Sequence, residues 1–207
     1  SNPDAISPFK PLGNFQNLAD TSITWGACSS IRGSLNALRS FINLHKGLID
    51  KKWCVIIDLD DTLLDGGGEV VGGIGEFTKW LIRSKYVWVV AVTARPNTPG
   101  TVFSTKTQIE MIGICIDDLD VIFRDKSQTP CEFKSATRQQ FLTSGYSILA
   151  TVGDKLWDHH NISPLLNEED VVNRSKDQAW LLTSTSPYNG VISPPLGLLV
   201  SHAKSYM

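Results

Sequence analysis

The chain has 207 residues, 42% of them hydrophobic and 19% charged, a balance that belongs to a globular protein rather than a disordered or fibrous one. Nineteen Lys and Arg against 21 Asp and Glu leave a net charge of −2, so no large basic surface is on offer for a nucleic acid. No apolar run approaches the ~20 residues of a membrane-spanning helix.

Residues 1–28 are rich in Pro, Asn, Ser and Asp without a sustained period and read as an irregular arm. Ile31, Leu35, Leu38 and Ile42 then form one stripe of an amphipathic helix over 29–46, with Gly47 placed to end it. WCVIIDLD is a continuous apolar run stopping at acids, as expected of a strand buried on both faces of a parallel sheet. LLDGGGEVVGG reads as a tight hairpin or flap. Ile74, Phe77 and Leu81 mark a helix, and YVWVVAVT is a second buried strand. Residues 105–112 read as helical, LDVIF as a third strand, and 135–142 as a short helix capped by Ser135. YSILATVGD and AWLLTS are the fourth and fifth strands.

Strands alternating with helices predict an α/β fold, a Rossmann-like and mostly parallel sheet flanked by helices. The expected organisation is an arm and helix over 1–50, packing on a core over 51–207. Cys28, Cys54, Cys115 and Cys131 lie far apart without a CxxC pair, so neither a disulfide framework nor a zinc site is expected and a reducing compartment is favoured. No secretory signal is visible, but the chain opens Ser1-Asn2 without Met and closes LGLLVSHAKSYM. A removed leader and further protein beyond Met207 therefore both stay open. A cytoplasmic location is expected, with an exported protein as the alternative.

In parallel sheets functional residues gather at the carboxyl ends of the strands, where this sequence places its unusual polar groups. The first strand ends Asp58-Leu59-Asp60-Asp61-Thr62, and a turn there brings Asp58 and Asp60 into one crevice. Such carboxylates repel each other unless a cation lies between them or one holds a proton. The second strand ends Thr93-Ala94-Arg95, donors suited to a phosphoryl group. Lys134 precedes the fourth strand, which runs into Gly153-Asp154-Lys155-Leu156-Trp157-Asp158. Hard oxygen ligands, a lysine and hydroxyls are the parts that hold a phosphoryl group in line with a nucleophile.

DLDDT after an apolar strand, a strand ending VTAR, Lys134 and GDKLWD resemble, in that order, the four motifs of the haloacid dehalogenase-like (HAD) superfamily, over roughly residues 53–185. TKTQIEMIGI, FKSATRQQF and LLTSTSPYNG are most similar to its acid-phosphatase branch. The resemblance implies a Mg²⁺-dependent phosphomonoester hydrolase working through an aspartyl-phosphate. It makes Asp58 the nucleophile and Asp60 the acid that protonates the leaving oxygen, then the base that activates water. Mg²⁺ would be held by Asp58, the backbone carbonyl of Asp60, and Asp154, with Asp158 in support. Thr93 and Lys134 would neutralise the phosphoryl oxygens, and Thr62, Ala94 and Arg95 would contact substrate.

Several of these residues have plainer readings. Asp61 is expected to be solvated or capping, and Asp65 a turn former. Lys126 is the rival of Lys134; Lys134 is preferred because a helix and a strand separate it from Asp154. His159 and His160 read as surface helix residues, and Trp157 as a neighbour of the site.

Only 30 residues separate Thr62 from Thr93 and 40 separate Thr93 from Lys134, so neither gap holds a large cap domain and an open site is expected. An open site suits a phosphoprotein of phosphotyrosine type. If the N-terminal helix covers it, a nucleotidase acting on small phosphomonoesters is the alternative. A receiver-like module, an inactive HAD scaffold binding a partner, and a phosphotransferase are the rivals from other classes.

Overall fold

A computed structural model describes residues 23–45, 52–85, 87–159, 178–184 and 196–200. In chain order the elements are β1 (Ile23–Ser30), α1 (Ile31–His45), β2 (Lys52–Ile57), α2 (Ile74–Ser84), β3 (Trp88–Pro96), α3 (Pro99–Met111), β4 (Asp120–Arg124), α4 (Pro130–Thr143), β5 (Tyr146–Gly153), β6 (Gln178–Ser184) and β7 (Leu196–Val200). Single 3₁₀ turns occupy Ile116–Asp118 and Leu156–Asp158.

The strands form one sheet in the order β1-β6-β7-β5-β2-β3-β4. The five strands from β7 to β4 run parallel, and β6 lies antiparallel to both β7 and β1. This is an α/β fold with a Rossmann-like, largely parallel sheet. Successive strands β2, β3 and β4 move outward in one direction; β5 then returns to the other side of β2. The crevice between β2 and β5 is therefore the topological switch point, where open α/β sheets bind their ligands.

The central strand explains the layering. Along β2, Trp53, Val55 and Ile57 enter a core shared with α1, α2 and Ile109 of α3, while Cys54 and Ile56 enter a second core with Phe133 and Phe141 of α4. A strand buried on both faces this way needs the unbroken apolar run that the sequence carries. The stripe of α1, with Ile31, Leu35, Leu38 and Ile42 all buried, belongs to the first core.

The connection after β2 is short. Thr62 N–H and Leu64 N–H both donate to the Leu59 carbonyl, at 3.2 and 2.9 Å, closing a loop that passes through Asp61 at φ 62°. A hairpin follows, pairing Leu64 with Val70, and Asp65 Oδ1 accepts from the N–H groups of Gly67 and Glu69 in its turn. This is the anticipated flap. The described residues between Thr62 and Lys134 otherwise form only α2, β3, α3, β4 and their connections, with no cap domain among them.

Four elements differ from the sequence expectation. The arm is extended from Ile23 as β1, and β7 was not anticipated; residues 1–22 and Gly47 lie outside the described residues. α3 begins at Pro99, capped by Thr98, because proline favours a first helical turn even where Gly100 weakens the pattern. α4 begins at Pro130 rather than near Ser135: Thr129 and Glu132 form a reciprocal capping box, a start signal written in the sequence as Thr-Pro-Cys-Glu. No described helix is long and apolar enough to cross a membrane.

Leu38 is fully buried in the first core. Leu38→Ala is expected to cost about 2–5 kcal/mol of stability in urea unfolding, the range for a buried leucine; a loss well under 1 kcal/mol would mean that α1 is dispensable to the core.

Candidate active site

The site lies at the carboxyl ends of β2 and β5. Asp58 continues the β2–β5 ladder by one rung, its N–H donating to the Val152 carbonyl at 2.9 Å. Its side chain therefore falls on the face of Cys54 and Ile56, toward α4. From α4, the ammonium of Lys134 donates to Asp58 Oδ1 at 2.6 Å and to Asp158 Oδ1 at 2.6 Å. All three side chains are buried. The tight loop after β2 returns Thr62 to the same place, its hydroxyl donating to Asp58 Oδ2 at 3.3 Å.

β5 delivers the rest. Asp154 follows the last residue of the strand and is buried beside Asp58; oxygens of Asp58, Asp154 and Asp158 lie within 4.8 Å of one another. The 3₁₀ turn carrying Asp158 folds back so closely that a Cβ at position 153 would collide with the Asp158 side chain, which is why the strand ends in glycine. Asp158 Oδ2 accepts from the Lys155 N–H at 3.0 Å, so both of its oxygens are engaged. Behind it, Arg138 donates to the Trp157 carbonyl at 2.7 Å, tying the turn to α4.

Three buried carboxylates face one ammonium, and the electrostatics follow. Burial, followed by the charge of Asp158, pushes Asp58 up to about 6 despite the opposing pull of Lys134. Burial first, then the charges of Asp58 and Asp158, hold Asp154 well above the usual carboxylate range. Burial alone would lower Lys134; Asp158 and Asp58 outweigh it and keep the ammonium above its ordinary value. The cluster carries excess negative charge on hard oxygens in a dry crevice, the donor set that a small divalent cation satisfies. Asp58, Asp154 and Asp158 could each offer it an oxygen, and Asp158 also accepts from Lys134.

The remaining candidates fall in a second group. Asp60 is turned toward Arg95, whose Nε and Nη2 donate to its two carboxylate oxygens at 3.0 and 2.7 Å. Thr93 is buried at the end of β3, and its hydroxyl oxygen accepts from the Arg95 N–H at 3.1 Å. The Ala94 carbonyl accepts from Arg124 Nε at 2.7 Å. The lysine beside Asp58 is Lys134; Lys126 is exposed in the turn after β4.

Two sequence readings need correction. Asp61 is not solvated but buried, at a positive φ that aspartate tolerates better than most residues. His159 is not a surface residue: its ring lies buried between the Thr151 hydroxyl at 2.7 Å and the Gly153 carbonyl at 3.2 Å, bracing the end of β5. Thr151 alternating with Gly153 along the strand was the available signal for it. Cys54, Cys115 and Cys131 are free thiols, and burial pushes Cys54 up to about 12.

Fold and site together define an α/β protein with a buried cluster of three carboxylates at its switch point, a donor set that could hold a cation. No family model and no curated protein matches the chain. Among solved structures it is similar to the class C acid phosphatase from Bacillus anthracis, at a TM-score of 0.45 and 20% identity, covering 61% of this chain and 65% of that one. It is also similar to the Pnkp1/Rnl/Hen1 complex, at a TM-score of 0.44 and 17% identity over 54% of this chain and 42% of that one. A second structure, of the Pnkp1/Rnl/Hen1 RNA repair complex, gives 0.40 and 18% over 54% and 39%. The chain thus spans less than two thirds of each of these proteins.

Because Asp58 is pushed up to about 6 and Asp154 is held well above the usual carboxylate range, the metal-free fold binds more protons than the unfolded chain from about pH 4 to at least about 6. Their contribution to stability therefore falls as pH rises through that window. Thermal melts in chelator are expected to show the parent losing stability relative to Asp154→Asn between pH 4 and pH 7. Mg²⁺ should raise the parent's melting temperature more at pH 7 than at pH 5. An equal Mg²⁺ shift at both pH values, or one retained in full by Asp154→Asn, would contradict this assignment.

Proposed function

We propose that the protein is a HAD-like, divalent-cation-dependent phosphomonoester hydrolase acting through an aspartyl-phosphate on Asp58. The observation that carries this reading is the buried Lys134 bridging Asp58 and Asp158, with Asp154 alongside. A carboxylate held in place by an ammonium, and buried where water cannot solvate it, is a positioned nucleophile. The geometry agrees with the four motifs in which the sequence resembles that superfamily.

In this reaction a carboxylate oxygen of Asp58 forms a bond to phosphorus as the bond to the leaving oxygen breaks, and Asp60 gives that oxygen its proton. Water then attacks the phosphorus of the aspartyl-phosphate while Asp60 takes the proton back. Lys134 stays beside Asp58 throughout and offsets charge on the phosphoryl oxygens. Mg²⁺, held by Asp58 and Asp154, would neutralise the phosphoryl group when bound. Thr62 keeps Asp58 in its rotamer through its hydroxyl.

The absence of a cap among the described residues between Thr62 and Lys134 supports a substrate whose own bulk shields the reaction. A phosphoprotein of phosphotyrosine type is the reading this favours over a small nucleotide.

Phosphate release from p-nitrophenyl phosphate is expected with Mg²⁺, to vanish in chelator, and to fall about 10³-fold or more in Asp58→Asn, which keeps the shape but cannot attack. Turnover surviving in Asp58→Asn would remove the nucleophile assignment. Phosphotyrosyl peptides compared with nucleoside monophosphates then decide the substrate class, and faster turnover of the nucleotides would reverse the phosphoprotein reading.

A further inference from the structure

Arg95 has five N–H donors, and the structure accounts for four of them. Nε and one Nη2 hydrogen form a two-pronged contact with Asp60, at 3.0 and 2.7 Å. Nη1 donates to Thr105 Oγ1 at 2.8 Å and to Gln108 Oε1 at 2.6 Å. Thr105 is fully buried on α3, and Gln108 lies one turn further along the same helix. The guanidinium is thus held from behind by a helix and presents its fork to one carboxylate. A phosphate ligand needs two adjacent donors free and pointing outward; this arginine has one N–H left.

Asp60 needs such a partner. It lies beyond the end of β2, and its side chain is 47% exposed. A half-exposed aspartate on a loop rotates freely unless something holds it, whereas a fork-to-carboxylate contact fixes both position and plane. The flap reaches the same point: a Cβ on Gly68, at its tip, would come within 3.3 Å of Gln108 Nε2.

We propose that Arg95 is a positioning residue for Asp60 rather than a ligand of the substrate phosphate, with Thr105 and Gln108 of α3 fixing the guanidinium. This rests on the hydrolase reading above and assigns a task within it. After the first half-reaction Asp60 has lost its proton to the leaving oxygen, and the fork holds that carboxylate where the attacking water passes. Before it, one Asp60 oxygen carries the proton toward the leaving group, and the other keeps a single contact with Arg95 that stops the side chain from rotating away. Proton count is preserved: Asp60 loses one to the leaving group and regains one from water.

The test separates positioning from phosphate binding through the leaving group. The quantity kcat/KM reports events through leaving-group departure; p-nitrophenolate departs without a proton, whereas an alkoxide needs one. Arg95→Met is expected to lower kcat/KM about 10²-fold for β-glycerophosphate, the scale of a lost general acid, and only about 3-fold for p-nitrophenyl phosphate. Gln108→Leu, which leaves the Asp60 contact in place but unbraced, should show the same asymmetry more weakly and serves if Arg95→Met fails to fold. Equal losses on both esters with a raised KM would overturn the proposal and return Arg95 to the phosphate. Absence of Mg²⁺-dependent turnover in the parent would instead mean that the hydrolase reading, and this assignment with it, is wrong.

Discussion

One ammonium among three buried carboxylates is the constraint around which the rest of the molecule is arranged. Taking charges out of water is costly, and an uncompensated charge in a dry interior is costlier still. Lys134 compensates two of the acids directly, at 2.6 Å each, and leaves the cluster short of positive charge. That shortfall suits a divalent cation: burial and mutual repulsion favour the protonated forms of Asp58 and Asp154, and a bound cation would relieve both.

The fold delivers these atoms with little freedom. β2 and β5 are adjacent and parallel, so Asp58 and Asp154 emerge side by side at the switch point. The collision that any side chain at position 153 would make with Asp158 forces glycine there and lets the turn seat the third acid. α4, started by its Thr129–Glu132 capping box, places Lys134 on its inner face with Phe133 and Phe141 buried around it. Each device is local, and each is needed because its neighbour is misplaced without it.

The parallel core was legible because its signals are strong and short-range. WCVII, WVVAV and YSILATV are apolar runs that only a doubly buried strand accommodates, and acids at their ends mark the crevice. Asp58, Lys134 and Asp154 could be singled out for the same reason, since type and order suffice without geometry. What escaped notice depends on distant partners. β1 and β7 are strands because β6 lies between them, and no period in ITWGACSS or LGLLV announces that. His159 looked like a surface residue because its partners, Thr151 and Gly153, lie across a turn. Arg95 reads from the sequence as a substrate contact, and only coordinates reveal that Asp60, Thr105 and Gln108 surround it.

The antiparallel wing of the sheet has a consequence for how the chain reaches this state. Residues 23–30 pair with residues 178–184, so that ladder cannot form until almost the whole chain is available. Strands β2 to β5 need no such wait, since their pairings with one another close within residues 52–153. Loop-closure entropy rises with separation, so the central unit is expected to assemble first and the outer ladder last. During synthesis, α1 emerges early with an apolar stripe whose sheet partners are still unmade, while its neighbour β1 waits longest of all for hydrogen-bonding company. Amide exchange is expected to run in two tiers, with the slowest-exchanging hydrogens in β2 and β5, the central strands that lead into the acids.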